Sequence, residues 1–379
     1  MIYKKFRDME LSALGMGGMR FPTLDGDYSK IDKAAMRELI ATAMAGGINY
    51  YDTAWGYHGG ASERVLGEIL SEYPRDSFYL ATKFPGYDLS NIDKVEKIFN
   101  EQLERCRVDY FDFYLFHNVC ELNIDAYLDP KYGIFDYLFE QKRSGRIRHL
   151  GFSTHGTVAT VKRFLDAYGE DIEFCQIQLN WLDYKLQNAK AKVDLLRERN
   201  IPIWVMEPLR GGRLVNLEAE YLAPLMAVRP GVGAPELAFR YLQTYPEVTV
   251  TLSGMGNMEQ LKQNIAVFEN EKPLNKNELE ALYGVARKMT EKTALPCTAC
   301  RYCTEHCPKG LDIPQIIEHY NEHMYSGGSL ARMAIGAMPE NKRPSACIGC
   351  HSCEAVCPQN IKISEMMRDF TIRLEGKDK

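Results

Sequence analysis

Residues 49–57 read Asn49-Tyr-Tyr-Asp-Thr-Ala-Trp-Gly-Tyr57, and this stretch decides which fold the sequence predicts. It opens in a short apolar run that turns polar at Asp52, as a buried barrel strand does when it carries a functional side chain at its carboxyl end. Asp52 and Tyr57 would then lie on the face where barrel enzymes hold their chemistry. A phenol is a better general acid when its pKa is lowered from about 10, and an ammonium held by a carboxylate would lower it. The stretch therefore predicts a lysine at the end of another strand.

Two other apolar runs end on side chains that fit this expectation. Lys83 closes the run Phe-Tyr-Leu-Ala-Thr-Lys, and His117 closes the run Phe-Asp-Phe-Tyr-Leu-Phe-His. A solvated lysine and a structural histidine are the ordinary roles of these residue types, but both residues end strands of buried type. We therefore expect them to converge with Asp52 and Tyr57 at the mouth of a barrel, where all four are candidate catalytic residues.

Helical and extended patterns alternate eight times in the first three quarters of the chain. The predicted strands are 11–18, 48–52, 78–83, 111–117, 147–153, 174–180, 201–207 and 248–253. The predicted helices are 30–46, 61–72, 91–106, 132–144, 157–168, 188–199, 234–244 and 258–269, with a further helix over 275–292. Such alternation predicts an α/β fold with a buried parallel sheet, and eight units favour a (β/α)8 TIM barrel over an open doubly wound sheet.

The composition changes after Pro296, where eight of the eleven cysteines fall. The run Cys297-x2-Cys300-x2-Cys303-x3-Cys307-Pro recurs fifty residues later as Cys347-x2-Cys350-x2-Cys353-x3-Cys357-Pro. Each run leads into apolar residues spaced as on one face of a helix, beginning at Ile313 and Ile363. In a reducing compartment such cysteine clusters indicate metal binding rather than disulfides.

The repeated run is typical of bacterial ferredoxins with two [4Fe-4S] clusters, in which the fourth cysteine of each run ligates the other cluster. The predicted ligands of one cluster are Cys297, Cys300, Cys303 and Cys357. The predicted ligands of the other are Cys347, Cys350, Cys353 and Cys307. Zinc is the alternative because paired Cys-x2-Cys also binds zinc, but two identical runs with proline favour iron–sulfur clusters. The sequence thus predicts a barrel over 1–285 and, over 286–379, a helical extension with a small, mainly helical ferredoxin-like domain.

Asp52-Thr-Ala-x-x-Tyr57, Lys83 and His117 on successive strand ends resemble the tetrad of the aldo-keto reductase superfamily, and the similarity covers about residues 1–285. The resemblance implies a (β/α)8 barrel that binds a nicotinamide cofactor without a Rossmann fold. It also implies that Tyr57 donates a proton to a substrate carbonyl. Lys83, paired with Asp52, would lower the pKa of Tyr57, and His117 would orient the carbonyl oxygen or assist proton transfer.

The same resemblance implies a cofactor site. Ser153 and Gln176 match positions that hold the nicotinamide carboxamide, and Leu209, Arg210 and Gly211 lie in a loop that would cover the pyrophosphate. The remaining implied contacts follow the eighth strand and are Ser253, Gly254, Met255, Gln260 and Asn264. NADP is the family default, and NAD is the alternative because Gln260 stands where an arginine usually clamps the 2′-phosphate.

The composition of the chain argues against two classes of partner, nucleic acids and membranes. The net charge of −5 argues against nucleic acid, whose binding proteins usually carry a basic surface. The first residues, MIYKKFRDME, contain no apolar core, so we expect no secretory signal. No run approaches the ~20 apolar residues of a membrane-spanning helix. We therefore expect a soluble cytoplasmic protein without a membrane partner.

The first functional hypothesis is an oxidoreductase that interconverts a small carbonyl compound and an alcohol by NAD(P)H-dependent hydride transfer. Its clusters would be structural, sense redox state, or relay electrons to a redox protein partner through a flavin or similar two-electron/one-electron switch. The alternative is an electron-transfer module whose barrel docks that partner and whose clusters carry the main activity. Four aromatic residues are candidate substrate contacts: Trp55, Tyr87, Trp181 and Tyr184.

Overall fold

The chain forms two compact units in a computed structural model that describes residues 1–291, 294–297, 300–327 and 329–375. One unit comprises Met1–Trp181 and Ala189–Leu282, and the other comprises Leu182–Asn188 and Tyr283–Lys379. The domain boundary at 285/286 stays a prediction.

Eight parallel strands close into a barrel in the order β10-β3-β4-β5-β6-β7-β8-β9. They are β3 (Leu14–Gly17), β4 (Tyr50–Asp52), β5 (Tyr79–Phe84), β6 (Phe111–Phe116), β7 (Ile147–Thr154), β8 (Cys175–Gln178), β9 (Ile203–Met206) and β10 (Val248–Ser253). Each overlaps one of the eight predicted strands, and the predicted fold class is confirmed. The strands are buried along nearly their whole length, which explains their almost continuously apolar sequences.

The predicted first strand, 11–18, is wrong as a single element. Its start belongs to β2 (Met9–Ser12), which pairs with β1 (Tyr3–Phe6) in an antiparallel hairpin, whereas its end is β3 of the barrel. The break falls at Ala13, because Ser12 Oγ donates to Leu14 O at 2.8 Å and Ser12 N donates to Asn49 Oδ1 at 2.8 Å. One local and one long-range side-chain hydrogen bond therefore divide one apolar run.

The N-terminal hairpin packs into the amino end of the barrel. Phe6, Met9 and Leu11 share a buried cluster with Tyr50 and Trp204 from the barrel strands. The hairpin lies at the end opposite to Asp52, which is the last residue of β4. It therefore leaves the carboxyl end of the barrel for a functional site.

Helices follow the strands in chain order. They are α1 (Lys33–Ala45), α2 (Ala61–Leu70), α3 (Val95–Cys106), α4 (Ile124–Leu128), α5 (Ile134–Arg143), α6 (Val158–Tyr168), α7 (Asp183–Leu186), α8 (Ala189–Glu198), α9 (Ala219–Val228), α10 (Ala234–Leu242), α11 (Met258–Val267) and α12 (Lys276–Glu291). The predicted helices match all of these except α4, α7 and α9, which were not predicted. Capping explains several sharp starts: the Asp32 carboxylate accepts from the backbone of Ala34 and Ala35 at the start of α1.

The cysteine-rich unit is helical, as predicted. It contains α13 (Tyr302–Glu305), α14 (Ile313–Ser326), α15 (Ser329–Ala337), α16 (Ser352–Ala355) and α17 (Ile363–Leu374). The two helices predicted to follow the cysteine runs are α14 and α17, and they contribute equivalent apolar faces to one core. Its buried members include Ile313, Ile316, Ile317, Ile363, Met366, Met367 and Phe370.

Among the helices of the described residues, none combines the length and the apolar character that crossing a membrane requires.

Candidate functional site

The four predicted catalytic residues lie together at the carboxyl end of the barrel. Asp52 ends β4, Lys83 is the penultimate residue of β5, and His117 directly follows β6. Tyr57 begins a short 3-10 turn after β4. Strand ends meet at one edge of a parallel barrel, which is why residues so distant in sequence converge.

The site contains a buried ion pair between Lys83 and Asp52. Lys83 Nζ donates to Asp52 Oδ1 at 2.6 Å and to the carbonyl oxygen of Thr53 at 2.7 Å. Both charged side chains are buried. The Lys83 ammonium also lies 5.2 Å from the centroid of the Tyr57 ring, and the Tyr57 and His117 rings meet edge to face at 6.0 Å. The arrangement therefore brings a phenol, an ammonium, a carboxylate and an imidazole into one pocket.

The direction predicted for the pKa of Tyr57 is wrong for this structure. Burial raises the pKa of Tyr57 well above its ordinary value, and the Asp52 carboxylate adds to the increase. The Lys83 ammonium, 5.2 Å from the centroid of the Tyr57 ring, does not outweigh these two effects in the pKa of Tyr57. Tyr57 is consequently a protonated phenol, which is the form that donates a proton.

His117 is a neutral imidazole in this environment. Burial lowers its pKa well below the ordinary value, and the charge of Lys83 and the proximity of His155 act in the same direction. Its Nδ1 atom is buried and has no hydrogen-bond partner among the residues that the structure describes. A neutral imidazole with a free ring nitrogen can hydrogen-bond a substrate oxygen.

The predicted carboxamide contacts lie side by side. Ser153 on β7 and Gln176 on β8 are paired in register. Ser153 Oγ accepts from the backbone N–H of Asn118 at 2.8 Å. The Gln176 amide nitrogen contacts the sulfur of Met206 at 3.7 Å, while Gln176 Oε1 is buried with no partner in the described part of the chain. An unsatisfied buried amide oxygen next to a serine fits a ligand that carries an amide.

The predicted pyrophosphate loop contains left-handed backbone. Arg210 is buried with φ 50°, and Gly211 follows with φ 65°. Both occur in a short turn that Leu209 precedes. These conformations turn the loop sharply after β9 and Met206, as a loop that folds over a ligand requires.

The residues after β10 form a helix start. Asn264 Nδ2 donates to Ser253 Oγ at 3.1 Å, and the Asn257 side chain caps α11 by accepting from the backbone N–H of Gln260 at 2.9 Å. Gln260 Oε1 in turn accepts from the backbone N–H of Gly256 at 3.0 Å. Gly254 and Met255 lie within this segment, and Met255 is buried. A helix start can bind a phosphate, but here a phosphate would have to displace the Gln260 and Asn257 side-chain oxygens from these two N–H groups.

Arg20 was not predicted as a site residue, yet it lies close to both Gly211 and Gly254 in the two candidate cofactor loops. A Cβ placed on Gly254 would approach the Arg20 side chain to 2.8 Å, and one placed on Gly211 would approach its guanidinium to 3.1 Å. Arg20 also pairs with Glu207 at 3.4 Å. The signal was present in the sequence, because Arg20 follows the first barrel strand and therefore belongs to the same edge as the other site residues.

The four aromatic residues predicted to contact the substrate lie in different surroundings. The Tyr87 ring packs edge to face on His117 at 5.0 Å. Trp55 instead lies under the Arg105 guanidinium, 3.6 Å from it, and Trp181 is buried. Tyr184 belongs to the other unit, where it stacks on Tyr283 at 5.4 Å. Tyr87 is therefore the one of the four that contacts a residue of the tetrad.

Two cavities in the cysteine-rich unit are each lined by four cysteines. The lining of one cavity includes Cys307, Cys347, Cys350 and Cys353. The lining of the second includes Cys297, Cys300, Cys303 and Cys357. Each set takes three cysteines from one run and the fourth from the other, which is the predicted grouping. Within the described residues, no three His, Cys, Asp or Glu side chains form a group that could hold one metal ion.

The loops that carry the cysteines have matching backbones. Arg301 and His351 occupy the same position in the two runs, and both adopt left-handed conformations, with φ 66° and 61°. Asn321 fixes the approach to the first run, since its side chain accepts from the backbone N–H of Leu295 at 2.7 Å and donates to the Leu295 carbonyl at 3.0 Å. The sequence repeat is thus also a repeat of local structure.

Comparison with known proteins gives two family matches. The model of the Aldo/keto reductase family matches residues 13–287, and that of a 4Fe-4S dicluster domain matches residues 296–361. The NADH-specific methylglyoxal reductase of Escherichia coli is 25% identical over 331 residues, covering 75% of this chain and 96% of that protein. The L-galactose dehydrogenase of Arabidopsis thaliana is 24% identical over 313 residues, covering 74% of this chain and 93% of that protein.

Solved structures share the barrel. The holo form of the aldo-keto reductase AKR11C1 from Bacillus halodurans superposes with a TM-score of 0.62 at 24% identity, covering 75% of this chain and 96% of that one. An aldo-keto reductase from Klebsiella pneumoniae in complex with NADPH gives a TM-score of 0.58 at 19% identity, covering 76% of this chain and 96% of that one. These likenesses establish the fold.

Proposed function

Because the chain belongs to the Aldo/keto reductase family, we propose that it interconverts a small carbonyl compound and the corresponding alcohol with a nicotinamide cofactor. The observation that carries the proposal is the buried Lys83–Asp52 pair beneath Tyr57, with His117 beside it. These groups can supply a proton and orient an oxygen at one point of the barrel mouth. The relatives from Escherichia coli and Arabidopsis thaliana bear the names of a reductase and a dehydrogenase, which also supports the proposal.

In the reducing direction, Tyr57 donates its proton to the oxygen of the substrate carbonyl. When bound, the nicotinamide cofactor supplies the hydride that the carbonyl carbon accepts. Tyr57 becomes a phenolate, which the positive charge of Lys83, 5.2 Å from the ring centroid, stabilises, and solvent restores the proton. Neutral His117 orients the carbonyl oxygen through a ring nitrogen. Oxidation of the alcohol reverses each proton transfer.

The cofactor is proposed to lie along the carboxyl ends of β7 to β10. Ser153 and the unsatisfied Gln176 oxygen would hold the carboxamide, and the turn at Arg210 and Gly211 would cover the pyrophosphate. Gln260 brings no positive charge to the 2′-position. That absence of charge and the NADH specificity in the name of the Escherichia coli relative favour NADH over the family default NADPH.

The two cysteine-lined cavities are proposed to hold two [4Fe-4S] clusters in the crossed arrangement. Cys297, Cys300, Cys303 and Cys357 would ligate one, and Cys347, Cys350, Cys353 and Cys307 the other. Thiolates around a cavity suit a cubane, whose irons are each held by one thiolate. Iron, sulfide and zinc analysis of anaerobically purified protein tests this: about eight irons and eight sulfides per chain are expected, and stoichiometric zinc without sulfide would overturn it.

The activity is tested by assaying a panel of small aldehydes, ketones and alcohols with NADH and NADPH, with product detection by mass spectrometry. The proposal expects a product whose new C–H bond carries deuterium from the labelled cofactor. Absence of turnover across the panel in protein that binds the cofactor and contains its clusters would count against it.

The second candidate function is electron transfer to a redox protein partner. It is favoured by the exposure of one cysteine in each set, Cys300 and Cys350, because exposed ligands bring a cluster within reach of another protein. Adding NADH or NADPH anaerobically while recording visible absorbance and EPR distinguishes electron transfer through the clusters from carbonyl reduction by the barrel alone. Cluster reduction would favour a relay through a switch or partner, and unchanged clusters would favour a self-sufficient barrel.

A further inference from the structure

A buried polar network connects the helices behind the barrel to the strand that carries Lys83. Glu63, in the first turn of α2, is fully buried and accepts from Thr82 Oγ1 at 2.7 Å and from Gln102 Nε2 at 2.6 Å. Its second oxygen accepts from the Arg105 guanidinium at 3.2 Å. A carboxylate that meets donors at both oxygens is satisfied in spite of its burial.

The network reaches the backbone of Lys83 itself. Gln102 Nε2, besides contacting Glu63, donates to the Lys83 carbonyl oxygen at 3.0 Å. Gln102 Oε1 accepts from the hydroxyl of Tyr114 on β6 at 2.6 Å. The amide is therefore fixed at both ends, and the main chain of Lys83 is fixed with it. Thr82, the residue before Lys83, is held by Glu63 directly.

Burial raises the pKa of Glu63, but its partners Thr82, Gln102 and Arg105 all donate hydrogen bonds to it, as they would to an ionised carboxylate. Glu63 therefore supplies a second negative charge that acts on Lys83. Burial lowers the pKa of Lys83, while the carboxylate of Asp52, and then that of Glu63, opposes the decrease. Among the described residues, the titratable groups that face or act on the ammonium are Asp52 at the end of β4, Tyr57 in the turn after β4, Glu63 of α2 and His117 after β6, and Arg105 of α3 pairs with Glu63. Within this set, Glu63 acts on Lys83 without touching it.

We propose that Glu63 is a positioning residue for Lys83, because it holds the end of β5 through Thr82 and Gln102 and places a buried negative charge behind the ammonium. The inference rests on the proposed function and adds to it a group outside the tetrad. The ordinary explanation is that Glu63 only neutralises Arg105. The two explanations differ in what they predict for the ionisation of Lys83.

The test compares Glu63→Gln with Glu101→Gln in the full cluster-containing protein. Glu101 pairs with the same guanidinium, Arg105, at 2.6 Å but is partly exposed. Within the described residues its carboxylate makes no hydrogen bond with Thr82, Gln102 or Lys83. Both variants therefore remove a carboxylate partner of Arg105, but only Glu63→Gln also removes the link to Lys83.

With Glu63→Gln we expect kcat to fall roughly 10- to 100-fold with the KM for the nicotinamide cofactor unchanged. Removing the negative charge lowers the pKa of Lys83, so the alkaline limb of the pH–kcat profile should move to lower pH by roughly half a unit or more. Glu101→Gln should leave both kcat and the limb in place. An unmoved limb in Glu63→Gln, or equal effects of the two variants, would overturn the proposal.

A second variant keeps the proposal testable if Glu63→Gln does not fold. Gln102→Met removes the link to the Lys83 carbonyl but no charge, so it should lower kcat without moving the alkaline limb. Far-UV circular dichroism verifies folding of each variant. Full activity in folded Gln102→Met would contradict the positional part of the proposal.

A spectroscopic measurement separates this proposal from the proposed function. NMR titration of lysine-labelled protein, with the Lys83 signal assigned by its loss in Lys83→Met, reports the ionisation of Lys83 without turnover. A lowered Lys83 pKa in Glu63→Gln supports the proposal even if no carbonyl substrate is found. An unchanged Lys83 pKa overturns it, whatever the activity.

Discussion

Lys83 owes its place in the site to three neighbours that restrict it in different ways. Asp52 and the Thr53 carbonyl hold the ammonium at 2.6 and 2.7 Å, and Gln102 holds the main chain at 3.0 Å. A buried lysine without such partners would lose its proton or its position. The side chain that polarises Tyr57 is therefore fixed before any substrate binds, which is the preorganisation that electrostatic catalysis needs.

Replacing Asp52 tests this pairing at the residue scale. Asp52→Asn leaves Lys83 buried without its counter-charge, which should cost about 3 kcal/mol of unfolding free energy. It should also lower kcat by about 100-fold, because a neutral or displaced Lys83 no longer stabilises the phenolate. Denaturant unfolding and steady-state kinetics measure the two effects. An Asp52→Asn protein with wild-type stability and turnover would show that the ion pair has neither role.

At the scale of elements, side-chain hydrogen bonds decide where strands and helices begin and end. Periodicity alone located the eight barrel strands and the helices between them, because buried parallel strands are apolar throughout and surface helices are amphipathic. It did not divide 11–18, because the break depends on Ser12 and Asn49, which meet only in the folded chain. Three helices, α4, α7 and α9, were not predicted either. Arg20 was overlooked although it follows the first barrel strand and so could have been placed at the same edge as the other site residues.

Glu173 illustrates how one side chain joins several elements. It precedes β8 and pairs with Lys142 of α5 at 2.6 Å, His149 of β7 at 2.9 Å and Arg7 of the hairpin turn at 3.4 Å. Burial alone would raise the pKa of Glu173, but the hydrogen bonds of His149 and Lys142 hold it at about 2.

This shift gives a prediction about the pH dependence of stability. The folded-state pKa of Glu173 lies below the unfolded value of about 4.3, so its contribution is complete above that pH and is lost as the pH falls towards 2. Glu173→Gln should therefore cost roughly 1–3 kcal/mol at pH 7 and progressively less below pH ~4. Urea unfolding followed by tryptophan fluorescence reports it, since Trp55, Trp181 and Trp204 all lie in the barrel unit.

The control for this prediction is Glu140→Gln, which breaks an exposed pair with Arg143 and should change the unfolding free energy by less than about 1 kcal/mol at any pH. A Glu173→Gln penalty that stays constant down to pH 2 would show that the residue stabilises the barrel by something other than its charge.

At the scale of the whole molecule, the chain combines a barrel of one family with a dicluster domain of another. The spacing of the cysteines predicted both the repeat and the sharing of the fourth cysteine, since ferredoxin runs carry that information in a few residues. The substrate could not be predicted in this way, because it depends on loops whose side chains follow no period.

Double substitutions test the crossed grouping of the cysteines. Cys300 and Cys357 line the same cavity, so the Cys300→Ser, Cys357→Ser double variant should lose about four irons, the content of one cluster. Cys300 and Cys307 line different cavities, so their double variant should lose about eight. Iron analysis after anaerobic purification distinguishes the two. The reverse order of losses would mean that each run ligates its own cluster.

The measurement that tests the central claim most directly is single-turnover hydride transfer in Tyr57→Phe, compared with Tyr51→Phe. Tyr51 lies on β4, the strand that precedes Tyr57, but its hydroxyl donates to the Ile48 carbonyl at 3.3 Å, away from the tetrad. We expect Tyr57→Phe to bind the nicotinamide cofactor normally and to reduce the carbonyl substrate at least ~100-fold more slowly, whereas Tyr51→Phe should retain the wild-type rate. Near-wild-type hydride transfer in folded, cofactor-binding Tyr57→Phe would contradict the assignment of Tyr57 as the proton donor.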